Sequence, residues 1–388
     1  MKIILILIIL ISLIGIINGE VGVSDKEILI GSSLALEGPT KELGIQTKIG
    51  MMTYINHIND KGGVNNRKIK VIFYDDGYDP VKCVENTKKL IEVDKVFALS
   101  CYVGTPTSVK AQPLWVNAKV PIVGFFTGAE ALRSPFKKTN FHIRASYNTE
   151  VKAFIDKVVK ELNYKKVAIF YQYDAFGEAV KSGTELALTS HNLKPIAYGT
   201  YERNTEAIED GLNKILPSSP EVIVMVGTYK PLAKFVKEAK KKGLTKTIFY
   251  TVSFVGPEAL AAALEKDYSN CIISLVVPPY TEENSKKFPV IKEYLDLLKK
   301  YNPDAKPTFV SLEGFVNAKV LVEGLKRAGS DITRDKFIEA VESIKPGQLG
   351  TGLKFDYSAT DHEGIKQLFL SKFDGKNWVE ITNWSEFK

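Results

Sequence analysis

Two loops in the first third of the chain carry the residues best suited to hold a small ligand. In "YVGTPTS" (102–108), Tyr102, Gly104, Thr105, Thr107 and Ser108 bring hydroxyls and backbone amides to the start of a helix. Thr105 is the natural N-cap before Pro106. "FFTGAE" (125–130) repeats the arrangement with Phe126, Thr127, Gly128 and Ala129. Later loops add aromatic residues: Tyr173 and Phe176 in "QYDAFGE", Thr228 and Tyr229 in "VGTYKP", Ser253 and Phe254 in "TVSFVGP". Singly, each has an ordinary reading as a cap, a turn or a core ring. Together, aromatics facing hydroxyl-rich loops describe a pocket of modest polarity closing between two lobes.

Signatures of turnover are missing from the sequence. The four histidines, His57, His142, His191 and His362, show no HExxH or CxxC…H spacing, so no metal is assigned. There is no GxSxG elbow, no Gly-Lys-Ser/Thr phosphate loop, and no GxGxxG after the first strand. Asp75 and Asp76 follow a strand, where adjacent acids cap the next turn. Recognition without catalysis or cofactor is the expectation.

Those loops must be positioned by alternating strands and helices. "EILIGSSLAL", "KIKVIFYDD", "KVFALSC" and "VPIVGFF" are apolar strands separated by amphipathic helices, and the pattern restarts at "EVKAFIDKVVKELN". Near-continuous apolar strands of this kind predict parallel sheets covered on both faces. Ligands then bind beyond the carboxyl ends of the strands, at loops 34–43, 75–80, 102–108 and 125–130, and at 172–177, 227–231 and 251–256. Three helices come late, from about Pro289, and the tail reads as strands joined by a turn at Asp374-Gly375.

Composition bounds the rest. The 388 residues suit two domains, and a net charge of +7 without a basic, aromatic-studded stripe argues against nucleic acid. "MKIILILIILISLIGIING" has the layout of a signal peptide cleaved after Gly19. The remainder is then an exported soluble protein, whose three cysteines suit one bridge and one buried thiol.

In order along the chain, the leader, "IGSSLALEGP", "YDDGYDP", "YVGTPTS", "FTGAEALRSP" and "FYQYDAFGEA" resemble the leucine/isoleucine/valine-binding branch of the type I periplasmic binding proteins. The resemblance covers essentially the whole mature chain. It implies an α/β fold of two Rossmann-like lobes joined by three hinge crossings, with 24–146 plus 281–350 in lobe 1 and 147–280 plus 351–388 in lobe 2. It implies a monomer in the periplasm that passes a small ligand to an ABC transporter permease in the inner membrane. The head group would fall to Tyr102, Thr105, Phe126, Thr127 and Gly128, with Phe176 and Tyr229 closing from lobe 2.

Two departures stand out. Leucine-type binders carry an acid in the lobe 2 loop that holds the ligand ammonium, where this chain has Ser253 and no acid between Thr251 and Gly256. This argues for an amide, carboxylate or aromatic acid in place of an α-amino acid. The family's first bridging cysteine is replaced by Tyr78, and Cys83, a helical turn later, is expected to pair with Cys101. A sensor handing its ligand to a receptor is the alternative, and an exported hydrolase a more distant one. A DNA-binding repressor of the same lobe fold would need a helix-turn-helix where the leader stands.

Overall fold

The structure, a computed structural model, describes residues 19–388; the expected leader lies outside them except for Gly19. The chain begins as a βα alternation: β1 (Glu27–Leu34), α1 (Lys41–Asp60), β2 (Lys68–Asp75), α2 (Pro80–Glu92), β3 (Ala98–Ser100), α3 (Thr105–Asn117), β4 (Ile122–Val123) and β5 (Asn140–Phe141). These strands form one parallel sheet in the order β2-β1-β3-β4-β5. Asp79 caps α2 by accepting from the amides of Val81 and Lys82, ahead of Pro80, as that sequence predicts. Asp75 and Asp76 are caps as well: Asp75 accepts from Leu36, Glu37 and Gly77 amides, and Asp76 from the Tyr78 amide.

The second alternation is α4 (Tyr147–Leu162), β6 (Val167–Gln172), α5 (Ala175–Thr189), β7 (Ala197–Tyr201), α6 (Glu209–Ile215), β8 (Val222–Val226), α7 (Tyr229–Lys241), β9 (Ile248–Thr251), α8 (Pro257–Leu264) and β10 (Cys271–Leu275). After it come α9 (Glu282–Lys287), α10 (Pro289–Tyr301), α11 (Phe309–Arg327) and α12 (Arg334–Glu342), then β11 (Phe369–Phe373) and β12 (Trp378–Glu380). The second sheet runs β12-β11-β10-β9-β8-β6-β7, with β11 and β12 antiparallel additions at one edge. No helix among the described residues is long and apolar enough to cross a membrane.

The late helices return to the first sheet because α11 packs closely on α1. A Cβ on Gly50 would sit 1.8 Å from the Ser311 carbonyl oxygen, and one on Gly314 would sit 2.4 Å from that of Thr47. Glycine at both places lets the two backbones touch. The chain thus passes between the lobes after β5, after β10 and before β11. The last passage lies beyond the expected boundary at 350. Tyr357 N donates to Ile344 O, Gly364 N to His142 O and Ile365 N to Ile143 O, so the chain stays with the first sheet as far as Ile365.

Candidate functional site

The loop after β3 sorts its residues by face. Cys101 adopts φ 59°, and its Sγ lies 3.6 Å from Asn317 Nδ2 on α11. Tyr102 points the opposite way, with its hydroxyl 3.0 Å from Thr87 Oγ1 and its ring edge-on to Trp115. Cys83 is buried on that second face. The expected Cys83–Cys101 bridge is therefore absent: the two thiols stand on opposite sides of the sheet, and all three cysteines are free. Burial pushes the Cys101 thiol up to about 11. Tyr102 likewise belongs to the core, away from the cleft.

Gly104 is the N-cap of α3, at φ 105° and ψ 149°, a region open only to glycine. Thr105, expected to cap, is the first helical residue. Its Oγ1 lies 2.6 Å from Thr127 Oγ1, and no side chain caps the helix start. Thr127 Oγ1 also accepts from the Ala129 amide. Thr107 bonds back to the Val103 and Gly104 carbonyls. Gly128 lies against Tyr147, whose amide donates to its carbonyl. Hydroxyls from two loops thus meet at an uncapped helix start, beside the phenol of Tyr147. That group has no partner among the described residues, and burial pushes it up to about 12.

Rings from both lobes close over this point. Phe254 packs on Phe176 (4.6 Å between centroids), Phe126 (5.5 Å) and Tyr78 (6.0 Å), and Phe176 meets Tyr147 at 5.4 Å. Neither Tyr78 nor Tyr147 was expected at the site: Tyr78 was read only as the replacement for a bridging cysteine, and Tyr147 looks like an ordinary helix-start aromatic. Direct bonds span the lobes: Tyr229 Oη donates to Pro39 O at 2.7 Å, and in the interior Gln172 Nε2 donates to Tyr78 Oη. Thr228 sits beside Tyr229, its amide donating to Tyr201 Oη. Tyr173 is 63% exposed and outside the cleft.

Beneath the rings lies a layer of buried charge. Arg144, on the first crossing, holds Glu313 of α11 through two bonds of 2.8 and 2.7 Å, with its guanidinium 4.4 Å from the Phe126 ring. Burial opposes the charge on Arg144, but the Glu313 carboxylate outweighs it and raises its affinity for the proton. Glu150, in the first turns of α4, accepts from Ser253 N (2.8 Å), Ser253 Oγ (2.9 Å) and Ser274 Oγ. Burial raises the Glu150 pKa, while Arg144 and these donors counter the rise. The contact spans 103 positions of sequence, and no local pattern announces it.

Known proteins share this fold. The family model for periplasmic binding proteins matches residues 27–377. The chain belongs to that family. Among curated relatives, the Leu/Ile/Val-binding protein homolog 7 of Brucella abortus is 23% identical over 378 residues, covering 91% of each chain. The leucine-, isoleucine-, valine-, threonine-, and alanine-binding protein of Pseudomonas aeruginosa is 21% identical, over 84% of this chain and 85% of the relative. A solved structure of a possible leucine/isoleucine/valine-binding protein from Rhodopirellula baltica superposes with a TM-score of 0.87 at 30% identity, covering 93% of this chain and 98% of that one. A fatty acid ABC transporter substrate-binding protein from Thermomonospora curvata has the same fold, with a TM-score of 0.81 at 21% identity over 95% of each chain. This is a type I periplasmic binding protein of the leucine/isoleucine/valine-binding kind, and its relatives are solute binders, not enzymes.

Proposed function

We propose that this periplasmic binding protein is the extracytoplasmic solute-binding component of an ABC importer, closing its lobes as a monomer on one small ligand. The ligand has a carboxylate or amide head, taken by Thr105, Thr127 and the amides at the start of α3. Its apolar remainder packs among Phe126, Phe176 and Phe254. The observation that carries this reading is the 2.6 Å meeting of Thr105 and Thr127 hydroxyls at an uncapped helix start, directly under rings from both lobes. Such a helix start favours negative charge, and hydroxyls there reorient at little cost to donate. The ligands for which two relatives are named, leucine, isoleucine, valine, threonine and alanine in one and a fatty acid in the other, have a carboxylate in common.

The test is a thermal-shift screen of the purified protein against hydrophobic amino acids, short amides, urea and aromatic acids. A ligand at a hundred times its Kd adds about 2.7 kcal/mol, a shift that is easily read. Thr105→Val and Thr127→Val should each weaken the hit by about 1–3 kcal/mol. Unchanged affinity in both variants would move the site elsewhere.

A further inference from the structure

Arg133 and His142 lie in the first lobe on either side of β5, and the cleft uses neither. Both are buried, at 8% and 3% exposure. Arg133 Nη2 donates to the carbonyls of Arg144 and Ala145 on the first crossing, at 3.1 and 3.4 Å. Its Nε and Nη1 have no partner among the described residues, and Glu363 stands 3.9 Å from Nη1, beyond hydrogen-bond reach. Charged donors buried without acceptors are costly and rare. His142 has the complementary need. Its Nε2 lies 3.2 Å from Leu132 O, which can only accept, so Nε2 carries the ring proton. Burial, and Arg133 after it, hold the ring well below its ordinary pKa, so Nδ1 keeps a bare lone pair. Nδ1 has no partner among the described residues either. The two residues line one cavity of about 200 Å³, which shares no residue with the cleft. Its other polar walls are spent: Asn140 on Trp115, Thr139 and Leu132, His362 on Asn140 O and Glu342, and Asp361 on Lys366 and the Glu363 amide. Lys137 adds a positive charge to the wall and the partly exposed Glu363 a negative one.

We propose that this cavity is an accessory site for a free oxyanion that keeps one proton, hydrogen phosphate or bicarbonate. Oxygens of the ion accept from Arg133 Nε and Nη1, and its hydroxyl donates to His142 Nδ1. A fully deprotonated ion such as sulfate brings only lone pairs to the lone pair of His142, so it is discriminated against. Glu363 competes with the ion for Arg133. The site is independent of the cleft reading above.

The experiment is calorimetry on the purified protein near neutral pH and at fixed ionic strength, with inorganic phosphate, bicarbonate, sulfate and glycerol 3-phosphate as probes. Phosphate or bicarbonate should bind roughly tenfold or more tightly than sulfate, the worth of one hydrogen bond in which a charged group takes part. Glycerol 3-phosphate, the same head on a larger body, should bind more weakly than inorganic phosphate. Arg133→Gln should abolish binding. Glu363→Gln, a neutral isostere at a partly exposed position, should tighten it several-fold by removing the competing charge, so a poorly folding Arg133→Gln does not leave the question open. Thr127→Val, in the cleft, should leave it unchanged. Equal affinity for phosphate and sulfate, no gain in Glu363→Gln, or loss in Thr127→Val overturns the inference. Tighter binding of glycerol 3-phosphate overturns the free ion as occupant. No binding of phosphate or bicarbonate overturns the site altogether and leaves its nitrogens to buried water.

Discussion

Breaking the Arg144–Glu313 pair offers the sharpest check on the energetics of the buried layer. Arg144 is 1% exposed and Glu313 3%, and they share two short, parallel bonds. Glu313→Gln keeps the shape and one acceptor but leaves the guanidinium without its counter-charge in a desolvated site. Removing one partner of such a pair costs about 3–5 kcal/mol. Glu150 also acts on Arg144, so part of the charge stays compensated, and the cost should fall at the lower end, about 3 kcal/mol. For lobes of this size that lowers the melting temperature by about 6–12 °C. Replacing both partners with apolar residues of similar volume, Arg144→Met with Glu313→Leu, should recover most of the loss, because neither charge then has to be desolvated. The assay is thermal and urea unfolding of the wild type, the single variant and the double variant, with the slopes compared to confirm the same transition. A single variant within about 0.5 kcal/mol of wild type, or a double variant no better than the single, would refute the reasoning.

Other consequences follow from the same geometry. The denatured, unreduced protein should show three reactive thiols, since none is bridged; a single reactive thiol would restore the Cys83–Cys101 pairing. Gly104→Ala forces a non-glycine residue into the φ 105° region, with its Cβ 2.3 Å from the buried Tyr78 ring. It should destabilise by about 2–5 kcal/mol in urea and weaken any cleft ligand. Glu258 accepts from Tyr280 Oη and Phe309 N, and burial raises its pKa to about 7 from an ordinary 4.5. The folded state therefore binds the proton more tightly than the unfolded state, so stability falls as pH rises from 4.5 through 7. Glu258→Gln should gain in melting temperature relative to wild type between pH 5 and pH 8; a constant difference would contradict the raised pKa.

The two α/β alternations were legible because most strands are near-continuous apolar runs, such as β8 and β10, and the helices between them are largely amphipathic, such as α4 and α7. The return of α11 to α1 rests on two glycines, Gly50 and Gly314, more than 260 residues apart. No periodicity connects them, and only the resemblance to a family placed those helices in lobe 1. The stretch from Thr351 to Ile365 was assigned to the wrong lobe because its attachment, backbone bonds to Ile344, His142 and Ile143 together with Tyr357 and His362 side-chain contacts to His142, Asn140 and Glu342, joins positions far apart in sequence.

For the site, loops at strand ends were found by composition, but which face each side chain takes was not. Tyr102 and Cys101 are neighbours in a turn where φ 59° at Cys101 breaks the alternation of a strand, so Tyr102 enters the core beside Thr87 and Cys101 meets Asn317. That inversion also explains the lost disulfide, and it frees the rest of the loop to reach the cleft. The same logic separates Ser253 from an acid at its position. An acid there would spend its charge on one contact at the surface. At Ser253 the acid stands one bond behind: Glu150 accepts from Ser253 N, Ser253 Oγ and Ser274 Oγ, so the loop that carries Phe254 into the cleft is anchored by a buried carboxyl of α4.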